Sequence, residues 1–379
     1  MSQSIPFYKH DLGEAELAAI SEVFRGPILT TGDTVARFER EFAALLGRKH
    51  ALAVTSCTGG LHMSLLALGI GPGDEVITTP MTFIATATAI MESGATPVFV
   101  DVESTTGNLD AKLLEEAITP RTKAIMPVHL YGCMCDMRAI RRVAEAHSLH
   151  VVEDAAHCVE GERDGVKPGG LAATACFSFY ATKNLACGEG GAIVTDDDAL
   201  FEKLRLLRLH GMTKTAADRQ REGYVHWDMV SLGWKYNLDN IHAAILLPQM
   251  RRLGQKLTLR HSLAETYESH LADVAGVQTF RVPEETIHAR HLFPIRVPAQ
   301  VRDQLVAELT AAGVGTVVNY RSIHLLKYFS ETLRYEEGSF PQAERIGNEV
   351  LSLPFYPGMT SEEVEFVTHH VGAILAQKL

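Results

Sequence analysis

The chain has 379 residues, of which 46% are apolar and 21% charged, and its formal net charge is −11. This composition is typical of a globular protein, and the length suits two domains or one large α/β unit with an appended part. The acidic balance argues against general nucleic-acid binding, which needs cations that neutralise phosphates. Neither a run of about 18 apolar residues nor a signal peptide is recognisable, so we expect no membrane association.

Six cysteines are scattered through apolar or strand-like segments. In a chain of this size such usage favours buried, reduced thiols over a disulfide framework, and therefore a cytoplasmic protein. Cys133 and Cys135, with His129 and Asp136 nearby, offer one alternative interpretation as a zinc site. A single Cys-x-Cys pair is weak evidence for zinc, so we expect no metal.

The first two thirds of the chain predict an alternation of helices and strands. Two helices, 11–25 and 33–46, come first. The strands that follow are continuous apolar runs, as expected when helices cover both faces of a mostly parallel sheet. The predicted strands are 51–55, 75–78, 97–100, 124–127, 150–153, 175–179 and 192–194, and the helices between them are 58–68, 82–91, 110–117 and 136–147. Because the connection between the last two strands is too short for a helical crossover, it predicts a hairpin-like return.

The remainder of the chain predicts a smaller α+β part. A helix is predicted at 197–210, and a long helix leads from the region of 234–245 through Leu271. Further predicted elements are strands at 292–297 and 316–319 and helices at 302–312 and 361–376. We place the domain boundary near 245–255, which gives a large α/β domain over 1–250 and a small domain over 251–379.

Ligands of open α/β sheets bind beyond the carboxyl ends of the strands, so polar residues at those ends are the first candidates. Thr58, Gly59 and Gly60 begin a helix directly after a strand. The free N–H groups and positive dipole of a helix start suit a phosphate, although these residues could simply cap the helix. Asp154 follows the buried strand 150–153. Its carboxylate needs a partner, for which a protonated pyridine nitrogen or a structural Arg would serve.

Lys183 follows the next strand in a neighbourhood of small residues with little charge. Most lysines are solvated surface residues. A lysine in a partly apolar site, however, has a lowered pKa and becomes nucleophilic enough to form an imine. Asp154 stands at one strand end, and Lys183 follows the next strand, 29 positions later (183 − 154). A pyridine-aldehyde cofactor requires this combination of a carboxylate and an amine.

At these residues the sequence resembles the DegT–DnrJ–StrS group of sugar aminotransferases, which are fold type I enzymes that use pyridoxal phosphate. The resemblance covers nearly the entire chain. It is carried by segments 30–32, 73–77, 127–129, 153–157, 178–183, 188–191, 235–237 and 352–354, in the same order. It implies a mostly parallel, seven-stranded sheet sandwiched by helices.

The resemblance also implies roles for the residues around the cofactor ring. Lys183 would hold pyridoxal phosphate as a Schiff base and later move the proton between carbons. Asp154 would pair with the ring nitrogen, and Phe83 would cover one face of the ring. His157 stands where many relatives have Gln near the ring hydroxyl, and either side chain can donate that hydrogen bond. Plain core packing is the alternative interpretation of Phe83.

Three further residues are implied for the cofactor phosphate, and one residue is implied from a second subunit. Thr58, Gly59 and Ser178 would hold the phosphate, although the Ser178 hydroxyl could instead be satisfied locally. Asn237 would reach in from the second subunit, which implies a homodimer with composite sites. A turn residue before the next helix is the alternative for Asn237.

Segments 290–293 and 313–329 resemble enzymes that aminate the 4-keto carbon of UDP-sugars, and the UDP-4-amino-4-deoxy-L-arabinose aminotransferases are the nearest of these. Tyr320, Arg321 and His324 would lie by the sugar, unless this segment is a solvated helix start. Cations for the diphosphate could come from Lys214, Arg219, Arg221 or Arg321.

The implied reaction is ping-pong transfer from L-glutamate to a nucleotide-linked ketosugar. Amination of a cyclitol or a 3-ketosugar, and a regulatory protein that binds the cofactor without turnover, are the alternatives. The presence of Lys183 disfavours the related dehydratases, which carry His at that position.

Overall fold

The computed structural model describes residues 4–214 and 226–379. Its strands are β1 (His50–Val54), β2 (Glu75–Thr78), β3 (Thr96–Phe99), β4 (Thr122–Ile125), β5 (His150–Asp154), β6 (Glu162–Arg163), β7 (Thr174–Ser178), β8 (Gly191–Thr195), β9 (Gln278–Thr279), β10 (Thr286–Ile287), β11 (Phe293–Arg296) and β12 (Val350–Leu353). Seven of them form the central sheet in the order β1-β8-β7-β5-β4-β2-β3. Its pairs are parallel from β3 through β7, whereas β8 runs antiparallel to both neighbours. The predicted α/β fold and the hairpin-like return are confirmed.

Helices cover the sheet and build the second part of the molecule. They are α1 (Glu14–Arg25), α2 (Asp33–Leu46), α3 (Cys57–Ala67), α4 (Ile84–Glu92), α5 (Leu114–Ala117), α6 (Met137–Ala146), α7 (Asp198–Leu207), α8 (Asn240–Met250), α9 (Leu253–Leu271), α10 (Ala299–Ala311), α11 (Lys327–Leu333), α12 (Pro341–Glu349) and α13 (Ser361–Leu375). Short side chains cap several of them: Asp136 accepts from Ala139 N at 2.9 Å and Asp197 accepts from Leu200 N at 2.9 Å. These caps satisfy N–H groups that a helix start leaves without partners.

Two kinds of core hold the chain together. The central strands are buried on both faces, and their side chains pack against the flanking helices. A second core joins α9, α10 and α13 to the antiparallel sheet β12-β11-β9 and also includes Ile5. The division into domains at residue 250 stays a prediction. In the described part of the chain, no helix is long and apolar enough to cross a membrane.

Three element predictions were wrong in detail. The long helix through Leu271 is two helices, α8 and α9, and Pro248 in the last turns of α8 removes a backbone donor shortly before the break. The segment 316–319 is no strand, because Val317 makes only an isolated bridge to Ser352. The helix predicted at 110–117 is a 3₁₀ turn followed by the single turn α5.

Candidate active site

A cavity of about 600 Å³ opens at the carboxyl ends of β5 and β7. The side chains of Lys183 and Asp154 both line it, although they are separated along the chain. Its other lining residues are Phe7, Ser56, Cys57, Thr58, Leu61, Thr82, Phe83, Ala85, Val128, Ala156, His157, Ser178, Tyr180, Thr182, Glu189, Gly190, His291, Leu292, Val317, Asn319 and Tyr320. The cavity therefore lies where the fold predicts a ligand site.

Asp154 is the last residue of β5 and is only 6% exposed. One carboxylate oxygen accepts from Thr86 Oγ1 at 2.7 Å, and the other accepts from Ala156 N at 3.1 Å and from Cys57 Sγ at 3.8 Å. Thr86 Oγ1 lies 2.8 Å from Thr82 Oγ1. Within residues 4–214 and 226–379, Asp154 forms no ion pair, so the structural-Arg alternative does not hold for this part of the chain. A buried carboxylate that is held by hydrogen bonds, and that forms no ion pair among the described residues, suits a cationic ligand group.

Lys183 lies in the loop after β7, where its backbone N–H donates to Tyr180 O at 2.9 Å. Burial lowers the pKa of Lys183 from 10.5 to about 8, and the nearby charge of Asp154 opposes that shift. The side chain nevertheless faces the cavity. A lysine with this pKa presents an appreciable fraction of neutral amine near pH 7, as a nucleophile requires.

Two imidazoles, His157 and His291, stand beside Lys183 with their ring centroids 4.5 Å apart. Burial lowers the pKa of both well below 6.5, and the charge of Lys183 adds to that shift, so both rings are neutral at pH 7. His157 Nδ1 accepts from Tyr131 N at 3.2 Å, and His157 Nε2 lies 3.2 Å from the Tyr320 hydroxyl. Because Nδ1 is the acceptor, Nε2 carries the proton and donates.

The start of α3 forms one wall of the cavity. Ser56 caps this helix and accepts from Gly59 N at 3.0 Å, so that N–H is already used, and Gly59 does not line the cavity. That Gly59 holds a phosphate stays a prediction. Thr58 and Ser178 both line the cavity, beside the positive end of the helix. The Ser178 hydroxyl also accepts from Tyr180 N at 3.3 Å.

Phe83 is 54% exposed and lines the cavity, which rules out core packing as its role. Its ring centroid lies 5.8 Å from that of Tyr320 with the planes tilted by 45°. An exposed aromatic face at the edge of a cavity can cover a flat ring. Phe83 therefore lies at the cavity, and its role as the cover of the cofactor ring stays a prediction.

The three residues predicted to contact the sugar lie in different surroundings. Tyr320 lines the cavity, whereas Arg321 is exposed outside the lining and His324 is fully buried. His324 Nε2 lies 3.0 Å from Glu344 Oε1, because its short 3₁₀ turn folds against the start of α12. The structure thus does not bring His324 to the cavity. Its buried partner holds it in the interior.

Two of the remaining predicted ligands, Asn237 and Lys214, also lie off the cavity wall. Asn237 donates to Thr31 Oγ1 at 2.7 Å within its own chain and does not line the cavity. Lys214 is likewise absent from the lining. Arg219 and Arg221 lie outside the described residues. The prediction that Asn237 serves a second subunit remains untested by these contacts.

The proposed zinc residues have other partners. Cys135 Sγ donates to Val128 O at 3.2 Å, and His129 Nε2 lies 2.9 Å from Glu153 Oε2. Burial raises the pKa of the Cys133 thiol to about 11 and raises the pKa of the Cys135 thiol well above its usual value, which disfavours the thiolates that bind zinc. Among the described residues, no group of three or more His, Cys, Asp or Glu side chains could hold a metal ion.

The cavity fits the chemistry of pyridoxal phosphate. It combines an amine of lowered pKa, a buried carboxylate held by hydrogen bonds, hydroxyl donors at a helix start and an exposed aromatic face. Lys183 would bind the aldehyde carbon, Asp154 the ring nitrogen, and Thr58 and Ser178 the phosphate. These groups come from α3 and from the ends of β5 and β7, which the parallel sheet brings to one edge.

Comparison with known proteins supports this conclusion. The profile of the DegT/DnrJ/EryC1/StrS aminotransferase family matches residues 10–372. The chain belongs to this family. The spore coat polysaccharide biosynthesis protein SpsC of Bacillus subtilis (strain 168) is 41% identical over 377 residues, which are 98% of this chain and 97% of SpsC.

Two solved structures illustrate the similarity of fold. DesV from S. venezuelae is 38% identical with a TM-score of 0.88, over 94% of this chain and 93% of DesV. Spr1654 from Streptococcus pneumoniae, in its PLP form, is 29% identical with a TM-score of 0.93, over 100% of both chains. The protein is therefore a sugar aminotransferase that depends on pyridoxal phosphate, and the predicted cofactor and enzyme class are confirmed.

Residues that the sequence did not single out complete the site. Thr86 lies one helical turn into α4 and 68 positions from Asp154, and His291 lies 108 positions from Lys183. Neither follows a strand end or belongs to a spacing that indicates chemistry. Only the folded chain brings them to the catalytic groups.

Proposed function

We propose that this enzyme transfers the amino group of L-glutamate to the C4 keto carbon of a nucleotide-linked ketosugar by a ping-pong mechanism. The observation that carries the proposal is a single cavity lined by the low-pKa amine of Lys183 and the hydrogen-bonded carboxylate of Asp154. Family membership supports sugar amination in general. The donor, the nucleotide and the carbon atom rest on the resemblance of segments 290–293 and 313–329 to UDP-sugar aminotransferases.

Each residue of the site has a task that its position allows. Pyridoxal phosphate, when bound, supplies an electron sink for the negative charge that develops when a carbon loses its proton. Asp154, fixed by the Thr86 hydroxyl, holds the proton on the ring nitrogen. Lys183 carries the proton from carbon to carbon, since its pKa of about 8 allows both states near neutral pH. Phe83 would cover the ring, and His157 would donate towards the ring hydroxyl.

The cavity lining offers hydrogen-bonding groups, but it is poor in cations. Tyr320, Asn319, Thr182 and Glu189 offer hydrogen-bonding groups for a sugar. Among the described lining residues, Lys183 is the single Lys or Arg. A diphosphate or the carboxylates of L-glutamate need further cations, which must come from outside this lining. That need supports a site completed by a second subunit.

We also propose a homodimer. Leu17, Phe24, Leu29, Met229 and Leu232 are large apolar side chains that are between 49% and 70% exposed. Exposed apolar surface of this kind commonly marks an interface. The segment that carries Leu29 is hydrogen-bonded to the start of α8, three residues beyond Asn237. An interface there would place Asn237 near a partner subunit. A cytoplasmic location stays a prediction.

The half-reactions test the substrates. The purified holoenzyme is mixed with L-glutamate, and the absorbance of the aldehyde form is followed until the amine form has replaced it. UDP-4-ketopentose, a UDP-4-keto-6-deoxyhexose, a nucleotide-linked 3-ketosugar and a cyclitol ketone are then added separately. Recovery of the aldehyde form with the 4-ketosugars supports the proposal. Recovery only with the 3-ketosugar or the cyclitol ketone would replace it, and no response to any amino donor would indicate a protein without turnover.

Mixed dimers test whether the site is composite. Lys183→Ala and Asn237→Ala proteins are each assayed alone and then after mixing under conditions that exchange subunits. If Asn237 serves the partner's cavity, a hybrid dimer has one intact site, and the mixture recovers roughly a quarter of wild-type activity. If Asn237 acts in its own chain, mixing recovers nothing.

A further inference from the structure

A chain of hydrogen-bonding side chains, of which His291 and Asn184 are buried and Glu160 is partly buried, stands behind Lys183. Its Nζ lies 3.4 Å from His291 Nε2, and His291 Nδ1 lies 3.4 Å from Asn184 Oδ1. The amide nitrogen of Asn184 lies 3.1 and 3.0 Å from the two oxygens of Glu160 and 2.7 Å from Ala289 O. The first two contacts are long, as is common for catalytic hydrogen bonds in proteins without a bound substrate.

The hydrogen-bond capacity of Asn184 determines the state of His291. The amide nitrogen has two hydrogens, and its neighbours, Glu160 and Ala289 O, are acceptors. The amide cannot be turned over, because its oxygen would then face the carbonyl oxygen of Ala289. Asn184 Oδ1 therefore faces His291 Nδ1 and can only accept. The proton of the neutral His291 ring must be on Nδ1, which leaves Nε2 as a bare acceptor facing Lys183.

His157 presents the opposite nitrogen to the cavity. Its Nδ1 accepts from the backbone N–H of Tyr131 at 3.2 Å, so its proton is on Nε2. The two neutral rings thus offer one donor and one acceptor within a few ångström of each other. Their different hydrogen-bond partners, the Asn184 side-chain oxygen for His291 and the Tyr131 backbone N–H for His157, produce this difference. Of these two rings, only His291 presents an acceptor nitrogen to the amine of Lys183.

The backbone before His291 is held in an unusual conformation. Arg290 has φ of +47°, in the left-handed region that side chains other than glycine rarely adopt. Its N–H donates to His288 Nδ1 at 2.9 Å, its carbonyl accepts from Arg260 at 3.2 Å, and its guanidinium donates to Glu268 at 3.0 Å. A strained residue that is held from three sides commonly positions a neighbouring functional group.

We propose that His291 is a positioning residue for Lys183, and that Asn184 and Glu160 hold it in the tautomer that accepts a hydrogen bond from the lysine Nζ. In the amine form of the cofactor, Lys183 is free. His291 then accepts one N–H of the lysine and holds Nζ at the cavity wall while the proton is moved. No covalent bond of His291 changes. The inference concerns amine chemistry common to the family and does not depend on which ketosugar is the substrate.

The tautomers are read directly by nitrogen NMR. The holoenzyme, labelled with ¹⁵N-histidine and held in its amine form, is observed near pH 7.5, and the signals are assigned with His291→Gln. We expect a protonated Nδ1 and an unprotonated Nε2 for His291. In Asn184→Ala the two nitrogens should give averaged shifts. A proton on Nε2 in the wild type, or an unchanged tautomer in Asn184→Ala, overturns the proposal.

A pH profile distinguishes this role from a merely structural one. Lys183 is faced by Asp154, Cys57, His157 and His291, and a hydrogen-bond acceptor favours its charged form. In His291→Phe the loss of the acceptor should lower the pH midpoint of the L-glutamate half-reaction by about one to two units. The rate at its optimum should fall roughly 10- to 100-fold.

Two matched variants allow the proposal to be tested even if His291→Phe folds poorly. His291→Gln retains an acceptor oxygen, so its midpoint should stay within about 0.5 unit of the wild type. His369→Gln changes an exposed histidine on α13 and should leave midpoint and rate unaltered. Equal midpoints in His291→Phe, His291→Gln and the wild type would overturn the proposal. So would an equal shift in both His291 variants.

Discussion

The reactivity of Lys183 provides a quantitative test of the site. Burial lowers its pKa from 10.5 to about 8. At pH 7 the neutral fraction is then about 9%, against about 0.03% for a lysine of pKa 10.5, a gain of roughly 300-fold. The neutral fraction should reach about one half at pH 8 and about nine tenths at pH 9.

Competitive labelling measures this fraction. Cofactor-free protein is treated with a trace of acetic anhydride between pH 6 and 10, and mass spectrometry gives the labelling of Lys183 relative to exposed Lys327. The Lys183 rate should rise about fivefold from pH 7 to pH 8 and level off above pH 9. In Asp154→Asn the midpoint should move to lower pH, because the charge of Asp154 favours the ammonium form.

Two outcomes would refute the reasoning. A Lys183 rate that still rises about tenfold per pH unit between 9 and 10 would mean that burial does not lower its pKa. A midpoint that moves to higher pH in Asp154→Asn would mean that the carboxylate does not act on this amine. Labelling of Lys327 in both proteins controls for the pH dependence of the reagent itself.

Three further substitutions test the supports of the site. Thr86→Val removes the 2.7 Å hydrogen bond to Asp154, and the half-reaction with L-glutamate should slow about tenfold or more in stopped-flow absorbance. Gly191→Ala places a Cβ 2.5 Å from a backbone carbon at the start of α3, so chemical denaturation should show a loss of about 1–3 kcal/mol, and cofactor titration should show weaker binding. His324→Gln leaves the buried Glu344 poorly paired, so the melting temperature should fall while KM for the sugar changes little. A large rise in KM without loss of stability would instead place His324 by the sugar.

The sequence predicted the central sheet and singled out Asp154 and Lys183 because both leave local signals. Buried strands read as continuous apolar runs, Asp154 ends one of these strands, and Lys183 lies in the loop after another. Segments without such signals were misjudged. Val317 reads as part of a strand but has one bridge partner, and the break between α8 and α9 falls inside an unbroken helical pattern.

Only the tertiary structure decided which distant side chains act together. The sheet brings Thr86 to Asp154 and His291 to Lys183. Each pair is too far apart along the chain for a periodic sequence pattern to link its two residues. The fold also buries His324 in the interior. The sequence of a short polar segment gives no indication of which of its side chains will be buried. Apolar patterning is a property of neighbours along the chain. Hydrogen-bond partners and tautomers depend on atoms that meet only when the chain has folded.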